Sequence, residues 1–282
     1  MTRLVDIEAH IESMAELSGI VGAMRSLAGM RVQEAERALP GIRRYAEAMA
    51  VAVATAMTLM PEAARGAGVT DGRRAIVLFA AEHGFVGGLN ERLIGALDAV
   101  VGPQDTLFML GSRGAGIALG RGRRAAWTQA MATRTASVSE AVGRLTSELY
   151  RRIARGEIAR VEVMYARYRR GGGPTVERHA VLPLDPAALK ESRPRFPPLH
   201  TLSPAKLLEC LMAEYVQALL TEAAVESLAS ENAARFAAMQ AARENVAKKL
   251  DRLRVDARQA RQDEITTELL DLIAGVQALD VG

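Results

Sequence analysis

The chain has 282 residues, 49% hydrophobic and 24% charged, a balance that excludes disorder and suits one large domain or a compact domain with an extended element. Aromatic residues make up only 4%, while Ala, Leu, Glu and Arg dominate, which favours helix. The net charge of +3 is spread over interleaved charges of both signs and does not by itself demand a nucleic-acid partner.

Met1 to Glu8 turns acidic early and lacks an apolar core, so no secretory signal is expected, and no apolar run reaches the length of a membrane span. Ile7, Ile11, Met14, Leu17, Val21, Met24, Ala28, Val32 and Ala35 recur every three to four residues and predict a long amphipathic helix. Gly19, Gly22 and Gly29 fall inside it, each costing about 1 kcal/mol relative to alanine unless it allows close backbone approach. Pro40-Gly41 is expected to kink or break this helix, and Arg43 to Met60 resumes helical composition before Pro61.

The texture then changes. Ala75 to Ala80 is a short apolar run typical of a buried strand, followed by a glycine-bearing turn, the amphipathic stretch Leu89 to Val101, and a second strand over Asp105 to Leu110. Strand, helix, strand predicts a parallel βαβ unit. Val138 to Ala154 reads as a helix, and Val161 to Tyr168 and Val176 to Leu182 as a strand pair around Gly171-Gly172-Gly173-Pro174. Pro183, Pro186, Pro194, Pro197, Pro198 and Pro204 predict a stiff, extended linker.

Between Pro204 and Gly275 there is neither proline nor glycine, and an unbroken helix of that length would reach roughly 100 Å. Such a helix needs a partner. Val246, Leu250, Leu253, Ala257 and Ala260 step by alternating four and three residues, a coiled-coil stripe. The stripe slips at Arg261 to Glu264 and resumes as Ile265, Leu269, Leu272, Val276 and Leu279. The N-terminal strip matches it, so the two chain ends are expected to pair. From Arg235 to Arg261, Arg235, Arg243, Lys248, Lys249, Arg252, Arg254, Arg258 and Arg261 outnumber Glu244, Asp251 and Asp256, a basic band suited to an acidic protein partner. The expected fold class is α/β: a long antiparallel coiled coil of N- and C-terminal helices plus a central Rossmann-like α/β domain. Its segments are an N-terminal helix over 1–60, the α/β domain over 72–185, the proline-rich linker over 186–203 and the C-terminal helix over 204–280.

Catalytic signatures are missing. No Gly-Lys dipeptide exists to form a Walker A loop. Gly114-Ala115-Gly116 resembles a dinucleotide loop, but Gly120 comes one residue too late for the G-x-G-x-x-G spacing. His10, His83, His179 and His200 lack paired metal-ligand spacing. Glu264 and Glu268 sit one helical turn apart, as acidic residues on a solvated helix routinely do. The lone Cys210 cannot form an internal disulfide and is expected to pack in the core. A basic coiled coil could bind nucleic acid, yet no aromatic residues interleave for stacking. A nucleotide-binding α/β enzyme with helical arms is the alternative from another class.

Three blocks carry a family resemblance. Ala23 to Arg31 is similar to an A-M-[KR]-x-V-A-x-x-[KR] block, and Glu82 to Asn90 to a D-[RK]-G-L-C-G-G-L-N turn, matched at Gly84, Gly87, Gly88, Leu89 and Asn90. Ser230 to Met239, with Ala260-Arg261-Gln262 and Ile265 to Leu269, resembles S-E-x-x-A-R-x-x-A-M joined to A-R-Q-x-x-I-T-x-E. In this order they resemble the gamma subunit of F-type ATP synthases along almost the whole chain. Leu17, Gly19, Val21 and Gly22 stand where members commonly carry threonines and lysines, and Asp263 and Glu264 where small residues are usual. The divergence is compatible with a housekeeping synthase and with a second ATPase of the so-called N-type branch (N-ATPase).

The resemblance implies a non-catalytic rotor shaft without cofactor or metal. Ion flow through the membrane sector would drive its rotation, coupled to ATP synthesis or hydrolysis in a hexamer of alpha and beta subunits. It implies ring contacts at Met24, Arg25, Arg254, Arg258, Arg261, Gln262, Thr266 and Glu268, and a structural turn at Gly84, Gly87, Gly88 and Asn90. The α/β domain would dock the epsilon subunit and the membrane c-ring. The implied location is peripheral, on the cytoplasmic face of a bacterial inner membrane, with no direct membrane span and no nucleic acid.

Overall fold

The computed structural model describes residues 2–61, 72–169, 173–184 and 198–280, and the side chains among them except those of 2, 3, 271 and 274–280. The elements run α1 (Thr2–Thr58), β1 (Arg73–Phe79), α2 (Leu89–Asp98), β2 (Thr106–Leu110), α3 (Ser112–Gly120), β3 (Trp127–Gln129), α4 (Val138–Ala154), β4 (Ile158–Arg167), β5 (Thr175–Leu182) and α5 (Pro204–Asp280), with a 3-10 turn at Thr135–Ser137. Most of the expected linker, including Pro186, Pro194 and Pro197, and two residues of the glycine turn, Gly171 and Gly172, lie outside the described residues. None of the described helices is long and apolar enough to cross a membrane. Contacts divide the chain into two units, one of Ala28–Arg235 and one joining the chain ends, through Leu27 and from Phe236 onward.

The first of these units is built on a five-stranded sheet in the order β3-β2-β1-β4-β5, parallel except for the β4–β5 pair. Period-two alternation sends the two sets of strand residues to opposite faces. Ala75, Val77, Phe79, Phe108, Leu110, Val161, Val163 and Tyr165 join one core, under α4 and the α1 and α5 segments carrying Ala35, Leu39, Leu220 and Leu228. Ile76, Leu78, Leu107, Met109, Met164 and Ala166 join the other, under α2 and α3. A sheet covered on both faces explains why β1 and β2 read as continuous apolar runs. In α4, Val138, Ala141, Val142, Leu145 and Leu149 repeat at helical spacing and are buried.

The expected break at Pro40-Gly41 does not occur: α1 runs through Pro40 to Thr58. An interior proline costs about 3 kcal/mol through its missing N–H and ring clash. Tertiary contacts offset this on both sides. Ala35 and Leu39 precede the proline in the core, and Ala46 and Ala50 follow it buried. Arg43, one turn on, donates to Glu222 at 2.9 Å and pairs with buried Glu226, both on α5. Burial pushes the Glu226 carboxyl up, against the pull of Arg43 and Arg167 and the Tyr168 N–H.

Cys210 is exposed, which corrects its expected place in the core. Leu208, Leu211 and Met212 form the packed face of that part of α5, and Cys210 falls on the other side.

In the unit of the chain ends, the first apolar stripe is a packed seam. Val21, Met239, Val246, Leu250, Leu253 and Ala257 are buried. The resumed stripe is not: Ile265, Leu269 and Leu272 are exposed, with Leu270 and Ile273. Arg261, just before this second stripe, lies beside Glu8.

Candidate functional site

Two places gather the residues singled out by sequence. In the unit of the chain ends, Arg25 donates to Gln240 at 2.8 Å and stacks its guanidinium 5.6 Å from the Phe236 ring centroid. Its Nε is buried without a partner. Met24 beside it is half-buried. Roughly 30 Å along the helix, Arg261 donates to Glu8 at 2.6 Å. Arg254 lies 3.6 Å from Asp251, and Arg258 reaches back to the Arg254 carbonyl at 3.3 Å. Thr266 donates to the Gln262 carbonyl, and Gln262 and Glu268 are exposed. Met24 and Arg25 thus stand apart from Arg261, Gln262, Thr266 and Glu268 as two separate stations on the same pair of helices.

Arg235 leaves the basic band expected of it. Its Nη2 donates to Glu231 at 2.6 Å and its Nε to the Gly84 carbonyl at 3.3 Å, with both charged side chains nearly buried. Here the glycine turn and the α5 signature meet, a juxtaposition the sequence blocks did not announce. Glu231 also accepts from the backbone N–H of Glu82 at 3.1 Å and of His83 at 3.5 Å. Asn90 is buried and its Oδ1 accepts from Ala81 N–H at 3.0 Å. Gly87 has φ +56, the left-handed conformation that favours glycine. Gly88 precedes the first residue of α2.

Gly114-Ala115-Gly116 belongs to α3 and forms no cofactor loop. A Cβ at Gly114 would strike Ala80, so the glycine lets α3 close on β1. Gly111, at φ +111, has no room for a side chain against the Ala80 carbonyl. In a dinucleotide fold the start of this helix receives a phosphate. Glu82 fills that position. Its carboxylate accepts from Ser112 N–H at 2.9 Å, Ser112 Oγ at 2.8 Å and Met131 N–H at 2.7 Å. Among the described residues no group of His, Cys, Asp and Glu is placed to hold a metal.

Partial burial alone would raise the Glu82 pKa, but the bonds from Ser112 and Met131 outweigh it and hold the carboxyl below its ordinary value of 4.5. A depressed folded pKa stabilises the fold above about pH 4.5 and loses that contribution as pH falls through the folded value. Glu82→Gln should therefore flatten the acid limb of the stability profile, seen as a smaller change in urea midpoint between neutral and acid pH. An unchanged acid limb would remove Glu82 as its source.

Residues 3–279 match the family model described as ATP synthase. The chain is 26% identical over 295 residues to the ATP synthase gamma chain of Prosthecochloris aestuarii, covering 99% of each chain. It is also 26% identical over 289 residues to the ATP synthase gamma chain of Neisseria gonorrhoeae, covering 97% of this chain and 98% of the other. Among solved structures, a chain of the Euglena gracilis mitochondrial ATP synthase (OSCP/F1/c-ring, rotational state 3) shares the fold with TM-score 0.66 at 15% identity, covering 100% of this chain and 96% of that one.

Proposed function

The chain belongs to the ATP synthase family as a gamma chain, the non-catalytic central-stalk rotor subunit of the F-type enzyme, and on that premise we propose where its working contacts lie. The paired terminal helices turn inside the hexamer of alpha and beta subunits, while the α/β domain docks the epsilon subunit and the c-ring and carries torque. One observation carries the ring placement. Beyond the Glu8–Arg261 pair, Ile265, Leu269, Leu270, Leu272 and Ile273 are 52–66% exposed on a continuous helix. A contiguous apolar surface of this kind marks a protein interface.

An uneven shaft favours different open and closed states at chemically identical sites only through different contact free energies with each. Arg243, Lys248, Lys249, Arg252, Arg254 and Arg258 face acidic segments of the beta subunits. Met24 and Arg25 form one ring station; Arg261, Gln262, Thr266 and Glu268 form the other. In functional terms the segments 1–60 and 204–280 are the shaft, 72–185 the docking body and 186–203 the link between them. The subunit sits peripherally at the cytoplasmic face of a bacterial inner membrane. Co-purification tests the assignment: the chain should elute with alpha and beta subunits, and elution alone would count against it.

Arg261 is held only by a half-exposed partner, at 60% and 48% exposure for the two side chains, and such pairs contribute about 0–1 kcal/mol. Its fork is therefore free to exchange Glu8 for a ring carboxylate. Arg261→Ala should leave the chain's stability within about 1 kcal/mol of wild type while weakening the coupling of ATP turnover to ion pumping. Wild-type pumping in that variant would sink this station. The alternative reading, a nucleotide-binding enzyme, meets Glu82 in the phosphate position.

A further inference from the structure

A cleft between α1 and the 3-10 turn before α4, within the unit of Ala28–Arg235, is lined by Met30, Arg31, Glu34, Arg37, Arg134 and Thr135, among others. Three arginines and one glutamate line it. Arg31 lies 3.5 Å from Glu34, so that charge is partly answered. Arg37 and Arg134 are exposed and have no carboxylate partner among the described residues.

We propose that this cleft binds a phosphate-bearing ligand, held by Arg31, Arg37 and Arg134. The donor inventory selects the ligand. Each guanidinium offers a planar fork of N–H groups. Three forks offer more donors than the roughly four lone-pair sites of one carboxylate can accept. A phosphate carries more oxygens and more negative charge, and it can be shared by arginines arriving from α1 and from the loop before α4. The site lies away from the glycines of α3, where Glu82 already serves as the anion. It does not depend on the rotor assignment.

Inorganic phosphate, pyrophosphate and a nucleotide tail share this chemistry, and calorimetric titration of the full chain with each in turn distinguishes them. Pyrophosphate should bind saturably at one equivalent. Arg37→Gln combined with Arg134→Gln should weaken pyrophosphate at least tenfold. Arg37→Lys, which keeps the charge and loses the fork, should fall between. Arg124→Gln, at an exposed arginine elsewhere on the same unit, should bind as wild type. Circular dichroism and melting of each variant verify the fold. Absence of saturable binding by the wild-type chain would overturn the proposal. So would equal loss in Arg124→Gln, or tighter binding of an acidic peptide than of pyrophosphate.

Discussion

Glu231→Ala is expected to destabilise the fold by about 3–5 kcal/mol, the cost of leaving a buried charge without its partner. Glu231 and Arg235 sit one helical turn apart with nearly buried side chains, and the carboxylate also holds the N–H groups of Glu82 and His83. Removing it leaves the Arg235 charge without its carboxylate and two backbone donors without their acceptor, while the Gly84 carbonyl and Asn232 Oδ1 still accept from the guanidinium. Urea unfolding should show a lower midpoint at unchanged slope. Glu231→Gln, which keeps an acceptor but loses the charge, should cost less. If the alanine variant melts within about 1 kcal/mol of wild type, Glu231 does not anchor the turn and the burial argument fails.

Replacing Leu269, Leu270, Leu272 and Ile273 with glutamine should have the opposite signature. These side chains are exposed in the isolated chain, so its own stability should move by no more than about 0.5 kcal/mol per site. Burial of a leucine or isoleucine in a partner contributes about 1.5–3 kcal/mol, so four replacements remove several kcal/mol of ring contact. Co-purification with alpha and beta subunits should weaken, and ATP-driven pumping should collapse while the variant chain still folds. Full pumping by the quadruple variant would show that this end of α5 bears on nothing.

Much of the fold was legible because long periodic segments announce themselves. Val138 to Ala154 was readable as a helix to its ends, and the apolar runs of β1 and β2 as strands buried on both faces. β3 escaped because its three residues are too few to display a period. α3 escaped because Gly114, Gly116 and Gly120 depress helix propensity, although Gly114 is there for close packing on Ala80. Pro40 does not break α1: local propensity counts the missing N–H and cannot count the Arg43 pairs and buried leucine that outweigh it.

The candidate residues can be named from the sequence one by one, but their groupings cannot. That the second stripe is exposed shows only in the folded chain. Arg235 looked like one more surface arginine because charge counts along a helix carry no burial. Glu82 stands at the acidic first position of the turn block, but only the folded chain brings Ser112 and Met131 onto its carboxylate.

That carboxylate amounts to a ligand tethered to its own receptor. A diffusible anion at the head of α3 would come and go with its concentration, and the loops after β1, β2 and β3 would loosen and tighten with it. A covalently attached one has no dissociated state to visit short of local unfolding, and its effective concentration does not vary with the metabolic state of the surroundings. A body that transmits torque needs the same stiffness at every moment of the cycle. Filling the pocket from within makes that stiffness constitutive.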